Sequence, residues 1–244
     1  MMKIQYASIT ETGDRSENED SILVREKDGC CFFALADGLG SYGNGKIASD
    51  AATAASAEIF LADPDADGIP ELAIRAAQES VMEKQKNDML LSSMSTTLAV
   101  LYIGEEQAQW SHIGDSRIYF FQERTLKEYT KDHSVPQLLV RLGQIRQDEV
   151  RGHPDQNRLL KAIGREWSDR PFDVSLLHAL NGTEWFLICS DGFWEYINES
   201  QMEQCLKMSD TPEQWLRSME HVTQKQSEGA VRDNYSAICI RVMK

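Results

Sequence analysis

The residues of this chain best placed to do chemistry are aspartates. Asp37-Gly38, Asp115 within Gly114-Asp115-Ser116-Arg117, Asp191-Gly192 and Asp233-Asn234 lie far apart, yet each stands at the end or start of an apolar, strand-like run. Strand ends hold side chains rigidly at a sheet rim, so carboxylates placed there can converge on one point. Converging carboxylates repel unless a cation sits among them. No thiolate or paired-imidazole spacing flanks these aspartates, which favours a hard, oxygen-ligated ion, Mg or Mn, over Zn. The pattern therefore points to a metal-dependent hydrolase. Arg15-Ser16-Glu17-Asn18-Glu19-Asp20 adds acidic groups beside an arginine whose guanidinium can grip a phosphate through two parallel hydrogen bonds.

The elements that must position these groups are visible as short runs rich in Val, Ile, Phe, Tyr and Trp. Such runs occur at Gln5–Ile9, Ser21–Val24, Cys31–Ala36, Thr97–Ile103, Ala108–Ile113, Arg117–Phe121, Phe172–Leu177, Glu184–Cys189 and Ala237–Val242. Helical spacing appears at Ile47, Ala51, Ala54, Ala55 and Ile59, then at Ile69, Leu72, Ala73, Ala76, Ala77 and Val81, and again at Trp215, Met219 and Val222. Two helices in succession after the third strand, with hairpin-like strand pairs elsewhere, do not make an alternating βα pattern. An α+β architecture of antiparallel sheets flanked by helices is expected, in one domain spanning 1–244. The polar stretch Ser134–Gly164 contains no apolar strand and reads as a helical surface excursion. Asp63-Pro64-Asp65-Ala66-Asp67-Gly68 resembles a calcium loop, but Pro64 and the missing distal Glu leave its ligand pattern incomplete.

Bulk composition narrows the class. Hydrophobic residues make up 41% and charged residues 26%, ordinary for a globular fold, and no run of about 18 apolar residues is present to span a bilayer. The start, Met1-Met2-Lys3-Ile4-Gln5-Tyr6, has no apolar signal core, so a cytoplasmic protein is expected. Five cysteines without Cys-x-x-Cys argue against disulfide and zinc frameworks, and Cys189 and Cys239 read as buried small hydrophobes. A formal net charge of -14 disfavours nucleic acid.

Taken in register, the motifs resemble the metal-dependent serine/threonine protein phosphatases of type 2C, the PPM family. They run as Arg15-Ser16-Glu17-Asn18-Glu19-Asp20, Ala36-Asp37-Gly38-Leu39-Gly40 with Gly45-Lys46-Ile47-Ala48-Ser49, Ser95-Thr96-Thr97-Leu98, Ile113-Gly114-Asp115-Ser116-Arg117, Thr130-Lys131-Asp132-His133-Ser134, Leu160-Lys161-Ala162-Ile163-Gly164, Cys189-Ser190-Asp191-Gly192 and Asp233-Asn234. The resemblance covers about Tyr6 to Val242. It implies a four-layer αββα sandwich with a binuclear Mg or Mn centre at one edge and phosphoserine or phosphothreonine proteins as substrates. It further implies that Asp37 bridges two ions, that the Gly38 carbonyl binds one, and that Asp191 and Asp233 bind the other. Asp20 and Glu19 would act mainly through coordinated water, Asp115 with Asp191 would serve a possible third ion, Arg15 would hold the phosphoryl group, and Asn234 would orient the Asp233 region. Arg117 would pair with a nearby carboxylate, and residues 134–164 would be the flap. A bacterial member would commonly oppose a serine/threonine kinase. Two departures stand out: Ser41 replaces the second glycine after Asp-Gly-x-Gly, and Leu39 stands where some members carry a His, leaving the general acid unassigned.

Other readings are weaker. Gly40-Ser41-Tyr42-Gly43-Asn44-Gly45-Lys46-Ile47 nearly spells a phosphate-binding P-loop, but Ile47 replaces the Mg-binding hydroxyl. Cysteine phosphatases need Arg six residues after Cys, and Cys31, Cys189 and Cys205 are followed there by Asp37, Glu195 and Thr211. Neither His-Glu-x-x-His nor Gly-x-Ser-x-Gly occurs. A binuclear phosphodiesterase is disfavoured by the acidic charge. A non-catalytic phosphoprotein-binding relative would be expected to lose its clustered carboxylates, which are costly without an ion. The five histidines read as ordinary surface or hydrogen-bonded residues, His133 being the one set in a motif. Trp185, Trp194 and Trp215 read as core.

Overall fold

A computed structural model describes residues 2–40, 44–167 and 169–244. Ser41, Tyr42 and Gly43 of the P-loop-like stretch lie outside the described residues. The strands are β1 (Lys3–Glu11), β2 (Asp20–Lys27), β3 (Cys30–Leu39), β4 (Ser95–Thr96), β5 (Leu98–Ile103), β6 (Gln107–Ile113), β7 (Arg117–Gln122), β8 (Thr125–Tyr129), β9 (Asp173–Val174), β10 (His178–Ala179), β11 (Thr183–Cys189) and β12 (Tyr235–Met243). The helices are α1 (Asn44–Ala62), α2 (Ile69–Asn87), α3 (Val135–Arg141), α4 (Asp191–Trp194), α5 (Glu199–Lys207) and α6 (Pro212–Gln226). One sheet runs β1-β12-β11-β7-β8, the other β10-β6-β5-β3-β2 with β4 on β3 and β9 on β6. All the pairings are antiparallel.

Side-chain alternation sorts the sequence into layers. On β3, Phe32, Ala34 and Ala36 pack among residues of α1 and α2, while Phe33 and Leu35 join the core between the sheets. On β11, Trp185, Leu187 and Cys189 pack among α4, α5 and α6, while Phe186 and Ile188 face the inter-sheet core. Strands buried on both faces lose the polar alternation of a one-sided strand and read as continuous apolar runs. The layer order is therefore helices, sheet, sheet, helices, as the sequence predicts.

Some boundaries differ from expectation. The run at Phe172–Leu177 yields only the two residues of β9, and its Leu176 and Leu177 are exposed. The strand β8 and the helix α5 are too polar to announce themselves; α5 is fixed instead by an Asn198–Gln201 capping box. The excursion 134–164 holds only the short α3, capped by Ser134, and a single turn at Gln147–Glu149. On α1 the buried face is Ala48, Ser49, Ala51, Ala52, Thr53, Ser56, Ala57 and Phe60, so Ala51 is buried as expected whereas Ile47 is exposed. Small residues win there because α1 lies close against both β3 and α2, and bulky side chains would hold it away. Leu72 of α2 is likewise exposed. The Asp63–Asp67 turn closes on itself through Asp65 N–H to Asp63 Oδ1, and its Pro64 carbonyl accepts the Tyr102 hydroxyl.

Candidate metal and phosphate site

The site lies where the two sheets meet at one end. In the β2–β3 ladder Asp20 stands directly opposite Asp37. Both continue the faces of Ile22, Val24, Phe33 and Leu35, which look into the inter-sheet core. The aspartates therefore end that core with charge. Asp115 sits in the three-residue crossing from β6 of one sheet to β7 of the other. From the other sheet, β11 delivers Asp191 as the first residue of α4, and Asp233 immediately precedes Asn234 and β12. Arg15, Glu17, Glu19, Asp37, Gly38, Asp115, Asn157, Leu159, Asp191, Asp233 and Asn234 share one open cavity of about 440 Å³. Asp20 is buried just behind it.

Close backbone packing allows this convergence. A Cβ on Gly38 would lie 2.2 Å from the Gly45 carbonyl oxygen, so the glycine is required where the start of α1 crosses β3. A Cβ on Gly192 would lie 2.2 Å from the Asn234 carbonyl oxygen, which brings the Asp191 and Asp233 segments together. Hydroxyls and amides fix the rest. Ser190 Oγ donates to Asp20 Oδ2 (2.9 Å) and accepts the Ser236 N–H, joining β11 and β12 to β2. Thr97 Oγ1 accepts the Asp37 N–H, and the Asp37 carbonyl accepts the Thr96 hydroxyl and the Thr97 N–H. The Trp194 indole N–H donates to the Asp115 carbonyl at 2.9 Å. Asn234 accepts the Glu19 N–H and donates to the carbonyls of Thr12 and Glu17.

The electrostatics are those of crowded acids. Burial pushes Asp20 up to about 7, and the charges of Asp191 and Asp233 add to it. Burial also pushes Asp191 up to about 6, aided by Asp233. Asp37 is raised well above the usual carboxylate range by burial and then by Asp20, Asp191 and Asp115; its carboxyl is within hydrogen-bonding reach of that of Asp191. Asp115 is raised by burial and then by Asp191. These groups cannot all ionise cheaply unless positive charge enters among them. The residues present fit a hard dication on two counts: the donors are all oxygen, and Asp20 Oδ1 is buried with no hydrogen-bond partner among the described residues.

Arg15 lies at the cavity rim, with its guanidinium on Asp233: Nε to Oδ1 at 2.8 Å and Nη2 to Oδ2 at 2.7 Å. That hydrogen-bonded pairing raises the Arg15 pKa. Arg117 is no part of the cavity: buried on the Trp194 ring at 3.4 Å, it makes two 2.7 Å bonds to Asp132. Sequence reasoning missed Asn157 and Leu159 as cavity residues, since nothing in a polar excursion marks two positions within it. It also missed the Trp194 bond to Asp115.

A second gathering of ligand-type atoms, from His112, His133 and Asp173, has those atoms all within 4.8 Å of one another. Its geometry is structural. The imidazoles stack at 4.8 Å with planes 13° apart, so their in-plane lone pairs run side by side instead of converging. His112 Nε2 bonds the Lys131 carbonyl, and His133 Nδ1 accepts the Gly114 N–H, leaving Nε2–H directed at Asp173.

The protein phosphatase 2C family model matches residues 12–232. The chain belongs to that family. Serine/threonine phosphatase stp of Listeria monocytogenes serotype 4b is 30% identical over 210 residues, 81% of this chain and 80% of that protein. Serine/threonine protein phosphatase PstP of Mycobacterium tuberculosis is 29% identical over 221 residues, 89% of this chain; the chain spans 41% of its length. Among solved structures, the PstP catalytic domain in complex with two manganese ions superposes with a TM-score of 0.83 at 25% identity, covering 100% of both chains. The four-layer architecture is thus the family's. No described helix is long and apolar enough to cross a membrane.

Proposed function

We propose that this chain is a metal-dependent phosphatase that hydrolyses phosphoserine and phosphothreonine in proteins. The observation that carries the reading is the meeting of carboxyls from both sheets, Asp20, Asp37, Asp115, Asp191 and Asp233, at one cavity whose sole cationic lining side chain among the described residues is Arg15. The two manganese ions of the related PstP domain support the choice of cofactor.

Asp37, Asp191 and Asp233, with the Gly38 carbonyl, would hold two Mn or Mg ions, Asp20 and Glu19 would support them, and Asp115 with Asp191 would take a possible third. When bound, such ions lower the pKa of water and offset charge on phosphoryl oxygens. The chain's own residues do the remaining work. The acidic floor excludes a phosphate from the cavity until its charge is compensated, which couples occupancy to reactivity. Arg15, on the rim, is placed to clamp two phosphoryl oxygens and fix the ester for in-line attack. Asn234, Ser190 and Thr97 hold the acidic segments so that no reorganisation is needed during reaction. Asn157 and Leu159 bring the 134–164 flap to the cavity mouth, where it meets the polypeptide that carries the phosphate. A cytoplasmic role opposing a serine/threonine kinase accords with this reading.

Hydrolysis of a phosphothreonine peptide, titrated with Mn and with Mg, tests it. Turnover should need the metal and should vanish in Asp37→Asn and Asp191→Asn while both variants remain folded. Metal-saturated protein that binds the phosphopeptide without releasing phosphate would instead establish a non-catalytic binding module.

A further inference from the structure

Arg15 and Asp233 are 218 residues apart in sequence and hold each other in a two-point ion pair at the cavity rim. If the chain is the metal-dependent phosphatase proposed above, this pair touches both of its ligands, metal and phosphate. Both Asp233 oxygens face the guanidinium fork, and Oδ1 also accepts the Asn234 N–H at 2.8 Å. Three bonds then occupy three of the roughly four in-plane lone-pair positions of the carboxylate. A dication arriving there meets a like charge at contact distance, so metal and guanidinium compete for Asp233. The same guanidinium, while it stays on Asp233, spends its Nε–H and one Nη2–H there, so only its Nη1–Nη2 end is left for a phosphate, beside the negative charge of Asp233.

The surroundings make this a side-chain exchange. The Arg15 backbone is fixed nearby: Asp14 N–H donates to the Arg232 carbonyl, and Arg232 N–H donates to Asp14 Oδ2. Gly13 lies so close that a Cβ on it would be 2.3 Å from the Asp233 carbonyl oxygen. The Arg15 side chain itself is 56% exposed and the Asp233 side chain 35%, so the fork can swing through solvent while the chain beneath stays in place.

We infer that Arg15 is a built-in counter-cation of Asp233 that entering metal displaces, and that the displacement presents the guanidinium to phosphate. Metal and phosphate binding are then linked reciprocally: each ligand tightens the other. An exposed ion pair is weak enough to exchange, and its loss should tighten metal binding at one site by about one-and-a-half- to fivefold.

The test uses the intact chain with Mg, Mn and inorganic phosphate as probes. In nitrogen-15 spectra the Arg15 Nε–H signal, identified by its loss in Arg15→Lys, should be hydrogen-bonded in chelator-treated protein. It should move toward the free-guanidinium position with saturating Mg, and move again when phosphate is added. By calorimetry, Arg15→Ala should bind Mn more tightly at one site, and this gain should disappear in an Asp233→Asn background, which separates exchange at Asp233 from simple removal of positive charge. An Arg15 signal indifferent to Mg while the Gly38 and Gly192 amides shift would overturn the exchange and leave the metal site standing. Absence of any Mg-induced shift and of any Mn heat would overturn both.

Discussion

Asn234→Ala is the substitution with the most legible consequences. The buried side chain makes three bonds, accepting the Glu19 N–H at 2.8 Å and donating to the carbonyls of Thr12 at 2.8 Å and Glu17 at 2.9 Å. It thereby ties the loop between β1 and β2 to the segment that carries Asp233 into β12. Each such bond contributes about 0.5–1.5 kcal/mol net, and partial access of water to the freed groups trims the sum, so the expected loss is about 2–3 kcal/mol. For a chain of this length that is a fall of roughly 4–12 °C in Tm. Activity should fall further than stability. The Glu19 segment is pinned on its other side by Ser49 Oγ and Gly38 N–H, both bonded to the Glu19 carbonyl, so releasing one side skews Glu19, Asp20 and Arg15 together. A displacement of about 1 Å can cost on the order of a hundredfold in rate. Asn234→Asp keeps the acceptor and loses both donors, so it should retain part of the stability while adding repulsion beside Asp233. Urea unfolding of the metal-free protein and Mn-dependent hydrolysis of a chromogenic phosphomonoester read the two effects. A stability loss under about 0.5 kcal/mol for Asn234→Ala would refute the hub.

Asp132→Ala removes both short bonds of the buried Arg117 guanidinium, which should cost about 3–5 kcal/mol in urea unfolding; a loss below about 1 kcal/mol would show that Trp194, Tyr119 and Glu199 suffice to hold Arg117. Gly192→Ala drives a methyl into the Asn234 carbonyl, so it should abolish turnover and weaken Mn binding, read by calorimetry; unchanged Mn affinity would count against the Asp191–Asp233 approach. Burial drops His112 from 6.5 to about 4, with the neighbouring His133 contributing. The unfolded chain therefore takes up this proton first, and stability falls as pH drops from about 6.5 toward about 4. His112→Gln should flatten that part of the pH–stability profile, and an unaltered slope would sink the assignment. Saturating Mn at about 100 times its Kd should add about 2.7 kcal/mol of stability, lost in Asp37→Asn, as thermal unfolding with and without chelator will show.

Much of this molecule is written locally. Apolar runs ending at Asp37 and Asp191, and one beginning just after Asp233-Asn234, gave away both the strands and their acidic ends, because alternation and burial act over a few residues of one element. The sequence motifs also carried the family, which the match over residues 12–232 shows. Cys189, Cys239, Trp185, Trp194 and Trp215 were legible as core for the same reason, and all five are buried.

Tertiary structure decided what periodicity cannot express. That Asp20 faces Asp37 depends on the β2–β3 register, and that Asp115 joins them depends on a crossing between sheets. The face of α1 is set by how closely it approaches β3 and α2, so mainly small residues, with Phe60 at the far end, are buried there while Ile47 is exposed. The sequence marks Arg15 as a guanidinium suited to an anion, but the partner it has here, Asp233, lies 218 residues away and becomes a neighbour only when β12 closes beside β1. The Asn234 hub arises in the same closure. A sequence records which side chains can bond, whereas the choice among equivalent partners belongs to the packing of whole sheets, whose energy is shared by residues that never meet along the chain.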